Sequence, residues 1–240
     1  MIIQRIHEQI KFRFNKLNSN HKQDLFKQNI DDAINKCLAD YVEIFYSGNS
    51  MKPYKFGFEV TQQQIDMLQT LVVPEVELPL NLVSPGIYSG GISYLPRYKH
   101  FIRGHIVPTE CNTKRIPITI VRHNDLDFKL KNENQKPSLL WERVLGVIKN
   151  NSLHLYTNGD FTISKCIVEY LKYPANVFYG GYDSLEYLQG DTSAFKAADP
   201  SQDPEIPESY HDLLIDMVVQ YLNSVIQDQP LNKNQINNLI

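Results

Sequence analysis

The sequence predicts an α+β fold: a helical bundle formed by N- and C-terminal helices, with an inserted β-rich module. Three observations lead there. Apolar residues recur at three- and four-residue steps through residues 2–17, 29–46 and 207–226. From Val72 onward, Pro74, Pro79, Pro85, Pro96, Pro108 and Pro117 interrupt any long helical period. After them come β-branched runs and an Asn-Gly pair, which favour strands and tight turns. The expected layout is an N-terminal helical region (1–72), a β-rich module (73–174), an extended arm (175–206), a C-terminal helix packed on the N-terminal helices (207–228) and a flexible tail (229–240).

The first helix, residues 2–17, aligns Ile3, Ile6, Ile10, Phe14 and Leu17 on one face, with Arg5, Glu8, Lys11 and Arg13 elsewhere. After a polar joint at 18–22, Asn29 caps a second helix that runs to about Tyr46 and stops at Gly48. Its stripe is Ile30, Ala33, Ile34, Cys37, Leu38, Tyr41 and Phe45. Two facing stripes and a short joint predict an antiparallel hairpin. A third helix begins at Thr61 with Gln64 as capping-box partner, carries Ile65, Leu68 and Leu71, and ends before Pro74.

In the middle of the chain a short helix is expected near Tyr98–Ile106. Residues 115–122 read as a strand, with Pro117 placing it at an edge or at a strand start. Asn158-Gly159, between the alternating runs 153–157 and 160–164, predicts a hairpin, because both turn positions want positive φ. The second of its strands continues through 166–171. Residues 175–206 hold Gly180-Gly181, Gly190 and two Asp-Pro pairs, and are too long for an ordinary connection. Pro207 opens the last helix, whose stripe is Leu214, Met217, Val218, Tyr221, Leu222 and Val225.

Composition limits the function classes. An apolar content of 42% gives 240 residues ample material for a core, and a net charge of −3 singles out neither nucleic acid nor a lipid surface. Cys37, Cys111 and Cys166 lie far apart with no CxxC pair, against a disulfide scaffold or a zinc knuckle. The chain opens without the apolar core of a signal peptide and has no run near the roughly 18 apolar residues of a membrane span, so folding in a cytoplasm is expected.

Motifs for chemistry are sparse. Gly86-Ile-Tyr-Ser-Gly90-Gly91 lacks the lysine of a phosphate cradle. His123, Asp125 and Asp127 would suit a metal ion or a general base, but they follow a predicted strand and are good turn residues. Ser19-Asn-His-Lys22 matches SxxK without its companion motifs, His100 and His105 do not share a helical face, and Cys111 has no neighbouring base. No catalytic residue, metal ligand or cofactor is assigned, and the chain is expected not to be an enzyme.

Charge and aromatic content point to contacts. Residues 1–27 hold six Lys or Arg and two acids, whereas 191–228 hold eight acids and one Lys, so the two segments suit each other within one subunit or between neighbours. Aromatics crowd the start of the arm. Tyr173, Phe178, Tyr179, Tyr182 and Tyr187, with Arg5 and Arg13, are the expected subunit or partner interface.

The order of these segments resembles the neck and ring proteins of tailed-phage head-to-tail connectors, of the crAss-like phage type. The residues that carry the likeness are Ile6–Leu17, Ile30–Lys36 with a Phe-Tyr-Ser-Gly stop, Arg122–Leu126, Lys136-Pro-Ser138, Glu169–Pro174 and Asp203–Asp212. The resemblance implies a virion structural protein that forms rings, dodecameric, below the portal. Its partners would be copies of itself, the portal and other neck or tail ring proteins, with genome DNA crossing the lumen without sequence-specific binding and no membrane contact. Other expectations are a tail-side adaptor or host-binding virion protein, a metal-dependent hydrolase built on His123, Asp125 and Asp127, or a cellular scaffold.

Overall fold

A computed structural model describes residues 2–17, 25–47, 65–180 and 201–237, with 17, 47 and 226–237 as backbone only. The chain divides into two compact units: Met1–Thr70 with Pro174–Ile240, and Leu71–Tyr173. Its helices are α1 (Ile2–Leu17), α2 (Lys27–Ser47), α3 (Leu126–Lys131) and α4 (His211–Asn237). Its strands are β1 (Val72–Leu78), β2 (Asn81–Ser84), β3 (Ile87–Gly91), β4 (Tyr98–Pro108), β5 (Ile116–Ile120), β6 (Val144–Lys149), β7 (Ser152–Tyr156) and β8 (Ile163–Lys172).

In the first unit most members of the stripes read from sequence are buried, whereas Phe45, Met217 and Tyr221 are half-buried and Val225 is exposed. Ile3, Ile6, Ile10 and Phe14 of α1 and Ile30, Ala33, Ile34, Cys37, Leu38 and Tyr41 of α2 are all nearly inaccessible. Helix α4 adds Leu214, Val218 and Leu222, together with Ile215 and Val219, which the stripe had not included. It packs along both α1 and α2, which touch each other far less, so the expected α1–α2 hairpin is not the main packing unit. Helix α4 also continues past Pro230 to Asn237, where the sequence suggested an end near Ile226. Of the expected third helix, the start at 61–64 lies outside the described residues. Residues 65–68 are helical, and a 3-10 turn at Gln69–Leu71 passes directly into β1.

The second unit overturns the predicted fold class. Its eight strands form one mixed sheet in the order β1-β8-β4-β5-β6-β7-β3-β2, curled into a half-barrel, so the chain is not a helical bundle with a β insertion. The proline-rich stretch supplies five of those strands. Tyr98–Pro108, expected to include a short helix, is the longest strand of all and pairs with β8 along its length. Strand β5 is interior to the sheet, and Pro117 is its second residue, at the strand start, one of the two expected places, where pairing with β4 is confined to His105↔Pro117 and Ile106↔Ile116. The one parallel pair, β5 with β6, requires a long crossover, and residues 121–143 with α3 provide it.

The Asn-Gly signal is right locally and wrong globally. Asn158 and Gly159 have φ of +59° and +82°, as a tight turn demands. Yet the strands on either side do not pair: β7 lies between β6 and β3, and β8 between β1 and β4. The true two-residue hairpin is β6–β7, closed by Asn150 and Asn151 at φ of +49° and +55° with Lys149 opposite Ser152. A second turn, Pro85-Gly86 between β2 and β3, backs onto the Asn158-Gly159 turn. A Cβ on Gly86 would come within 2.6 Å of the Gly159 nitrogen.

The sheet is buried on both faces near its middle. Leu78, Ile106, Ile116, Val144, Leu155, Val168 and Tyr170 belong to the main core. Val121, Leu145, Val147 and Tyr156 form a smaller cluster, against which Leu126 and Leu130 of α3 pack. The two edge strands are each interrupted. Strand β1 is bent by a bulge between Val73 and Val76, with Glu75 at φ +43°, and carries Pro74 and Glu77. Strand β2 is four residues long and bracketed by Pro79 and Pro85, although Leu82 and Val83 are exposed.

Candidate interaction surface

The two described ends of the arm are tied down by side chains of their own unit. Asn35 of α2 clamps Val177 as a strand would: its Nδ2 donates to the Val177 carbonyl at 3.1 Å, and its Oδ1 accepts from the Val177 N–H at 2.6 Å. Phe178 and Gln202 exchange backbone hydrogen bonds and so join the outgoing and returning segments. Glu205 accepts from the Ala175 N–H at 2.8 Å, and its carbonyl accepts from the Thr70 hydroxyl at 2.6 Å. Asp203 accepts from the Ile3 N–H at 2.8 Å, capping an α1 whose own first turn contains no acid.

At the centre of this wiring is a buried pair. His7 Nε2 and Asp31 Oδ1 stand 2.8 Å apart with both side chains about 5% exposed or less. The second Asp31 oxygen accepts from the Tyr179 N–H at 3.1 Å, and the Tyr179 ring stacks on His7 with centroids 4.9 Å apart. Lys27 Nζ lies 4.7 Å from the Tyr179 ring. Tyr179, expected at a subunit interface, is therefore engaged inside its own chain. His7, Asp31 and Asn35 were not singled out from sequence. Each reads there as a polar residue on a helix, and only the returning chain gives it a buried partner.

The opposite charges of the two chain ends meet within one chain. Arg13 reaches Asp212 at 2.7 Å and Asp216 at 2.5 Å. Arg5 is exposed and lines an open groove of about 320 Å³ in the helical unit. Its apolar lining is Ile2, Ile6 and Ile215, and its polar lining is Arg5, Gln9, Glu208, His211 and Asp212. Tyr173 is half exposed, with Lys99 Nζ 5.0 Å from its ring. Phe178 is half-buried beside its Gln202 bridge, and Tyr182 and Tyr187 lie outside the described residues. Of the expected interface set, Tyr173 belongs to the sheet unit and Arg5, Arg13, Phe178 and Tyr179 to the helical unit.

Among the described residues, the most exposed apolar group lies elsewhere. Ser138 and Arg143 exchange two backbone hydrogen bonds, both 3.0 Å, at the base of a four-residue turn. Glu142, at φ +47°, closes that turn onto the Leu139 carbonyl. Leu139 packs against the sheet core, while Leu140 and Trp141 at the tip are 81% and 73% exposed. Lys114 reaches Glu142 at 3.0 Å, and Arg143 donates to the Asn134 carbonyl. The tip is thereby braced on both sides, and Trp141 is the chain's one tryptophan. A Pro-Ser followed by Leu-Leu-Trp without periodicity was the available signal, but apolar runs are read as core by default.

The chemical candidates are placed as follows. His123–Asp125 forms a 3-10 turn leading into α3, and His123 Nε2 lies 3.1 Å from the Ile148 carbonyl. Among the described residues, no group of three His, Cys, Asp or Glu converges to hold a metal ion. Residues 19–22 of the SxxK match lie outside the described residues. Cys111, on the β4–β5 loop, has its thiol held below the ordinary value by the Thr113 hydroxyl. Burial pushes Cys37 up to about 11 and Cys166 up to about 12. Among the described residues no helix is long and apolar enough to cross a membrane. No protein-family model matches this chain, and no curated protein matches it.

Proposed function

We propose that this chain is a virion structural protein, a ring-forming subunit of a tailed-phage head-to-tail connector that links portal to tail. In this role it would sit in the neck, with genome DNA passing through the lumen of a ring of copies. The observation that carries the reading is the braced, solvent-facing Leu140–Trp141 turn. Adjacent exposed apolar side chains that include a tryptophan are of the kind enriched at protein contacts. The ordered likeness to neck and ring proteins along the sequence says which kind of assembly such a contact would serve. Ring closure multiplies a modest interface, because the last contact forms between subunits already held together.

The test is negative-stain imaging of the purified protein, alone and mixed with the portal protein of the same virus. Closed rings in either sample support the reading. If neither sample contains rings and the protein is missing from purified virions, the reading fails.

A further inference from the structure

We infer that the face of α2 bearing Asp31 and Asn35 is a recognition slot for an extended protein segment, and that residues 175–179 are an autoinhibitory strap filling it. The inference goes beyond the ring-subunit reading and does not depend on it. The strap is held as a strand is held at a sheet edge, but by side chains. Its N–H groups at alternate residues each donate to a side-chain oxygen: Ala175 to Glu205 at 2.8 Å, Val177 to Asn35 at 2.6 Å and Tyr179 to Asp31 at 3.1 Å. Phe178, between them, exchanges backbone hydrogen bonds with Gln202 on the other edge.

The spacing explains how a helix can do this. Four residues of helix rise about 6 Å, and two residues of strand rise about 6.7 Å. Asp31 and Asn35, one turn apart on one face of α2, therefore stand opposite successive N–H groups of an extended chain. Recognition of this kind draws affinity from main-chain atoms and specificity from alternate side chains. The two positions read here are Val177, 1% exposed, and Tyr179, whose ring stacks on His7 and is approached by Lys27 Nζ. The ligand class that follows is an extended protein segment with an aliphatic residue and, two positions later, an aromatic one.

The strap leaves the slot incompletely satisfied. His7 Nδ1, on the ring that Tyr179 stacks against, is buried with no hydrogen-bond partner among the described residues. A buried polar atom costs stability until it is paired. A partner segment that brings a polar group to this nitrogen gains what the strap lacks, and so displaces it.

The probe is the synthetic peptide Pro-Ala-Asn-Val-Phe-Tyr-Gly, which repeats residues 174–180. In the full-length parent it competes with a strap tethered at an effective concentration in the millimolar range, so binding is weak. Val177→Asp disables the strap, and the full-length variant should bind the peptide at least about a hundredfold more tightly than the parent. Adding Asn35→Ala, which removes two hydrogen bonds to the peptide backbone, should weaken that binding roughly tenfold. A peptide in which Asp replaces Val should not bind. Titration calorimetry reads the affinities, and circular dichroism shows whether each variant keeps the parent's helix content. In the parent, millimolar peptide should speed hydrogen exchange at the amides of 175, 177 and 179 and leave β8 unchanged.

The inference falls if folded Val177→Asp protein does not bind the peptide, if Asn35→Ala leaves its affinity unaltered, or if the Asp-containing peptide binds as well. Should the Val177→Asp variant not fold, the exchange measurement decides: strap amides that millimolar peptide does not move overturn the inference.

Discussion

The helical unit adds a fully buried polar pair to its exposed Arg13–Asp212 and Arg13–Asp216 contacts, whereas each ion pair described in the sheet unit, Arg103–Glu169 included, keeps at least one member in solvent. In the helical unit, His7–Asp31 and Asn35–Val177 are buried or half-buried and hold the returning chain in place. In the sheet unit the charged pairs stand mostly in solvent: Glu75–Arg115 at 2.9 Å, Glu77–Lys165 at 3.5 Å and Lys114–Glu142 at 3.0 Å. Cohesion there comes from the apolar core. The lesson is that the same count of polar contacts carries different weight according to depth. A buried pair that loses one member leaves the other stranded, whereas a surface pair returns both to water.

The largest contrast should appear in thiol chemistry, which samples both units at once. Cys37 is buried in the helical unit and Cys166 in the sheet, while Cys111 is partly exposed with a favoured thiolate. At neutral pH Cys111 should be labelled at least about a thousandfold faster than the other two, which wait for opening. Mass spectrometry of a labelling time course reads the order. If Cys37 and Cys166 react together, the units open as one; separate rates would mean that each unit opens alone.

Next in size is Asp31→Ala, which strands the His7 imidazole and the Tyr179 N–H together. It should cost about 3–5 kcal/mol in urea unfolding, the scale for breaking a buried pair. A loss under about 1 kcal/mol would place that pair with the surface ones and erase the contrast. Asn35→Ala removes two hydrogen bonds to one backbone unit and should cost about 2 kcal/mol. It should also raise amide exchange around Val177. At the small end, Arg115→Ala and Glu75→Gln should each change stability by less than about 1 kcal/mol, and by less still in high salt.

How much of this was legible in the sequence follows from the range over which each interaction acts. The α1 stripe is a local pattern, and its members Ile3, Ile6, Ile10 and Phe14 are buried, Leu17 being described as backbone only. Strand β4 was misread because Tyr98-Lys-His-Phe-Ile-Arg lacks strict alternation. Its burial alternates only from Gly104 onward, and Arg103 is settled by Glu169 on the neighbouring strand at 2.7 and 2.8 Å. The Asn158-Gly159 turn has the dihedral angles that its sequence dictates, but the strands beside it choose partners elsewhere in the chain to bury Leu155 and Val168. The interface residues fared similarly. Tyr179, among the expected interface residues, is half-buried against His7, whereas Trp141, which its sequence context does not single out, is largely exposed.

The two interrupted margins of the sheet limit how copies can be joined. With β1 kinked by its bulge and β2 cut short between prolines, neither side provides a straight template on which a neighbour could lengthen the ladder. A fibre-like continuation of the sheet from molecule to molecule is thereby blocked at both ends. Association between copies then falls to surfaces other than the two sheet margins.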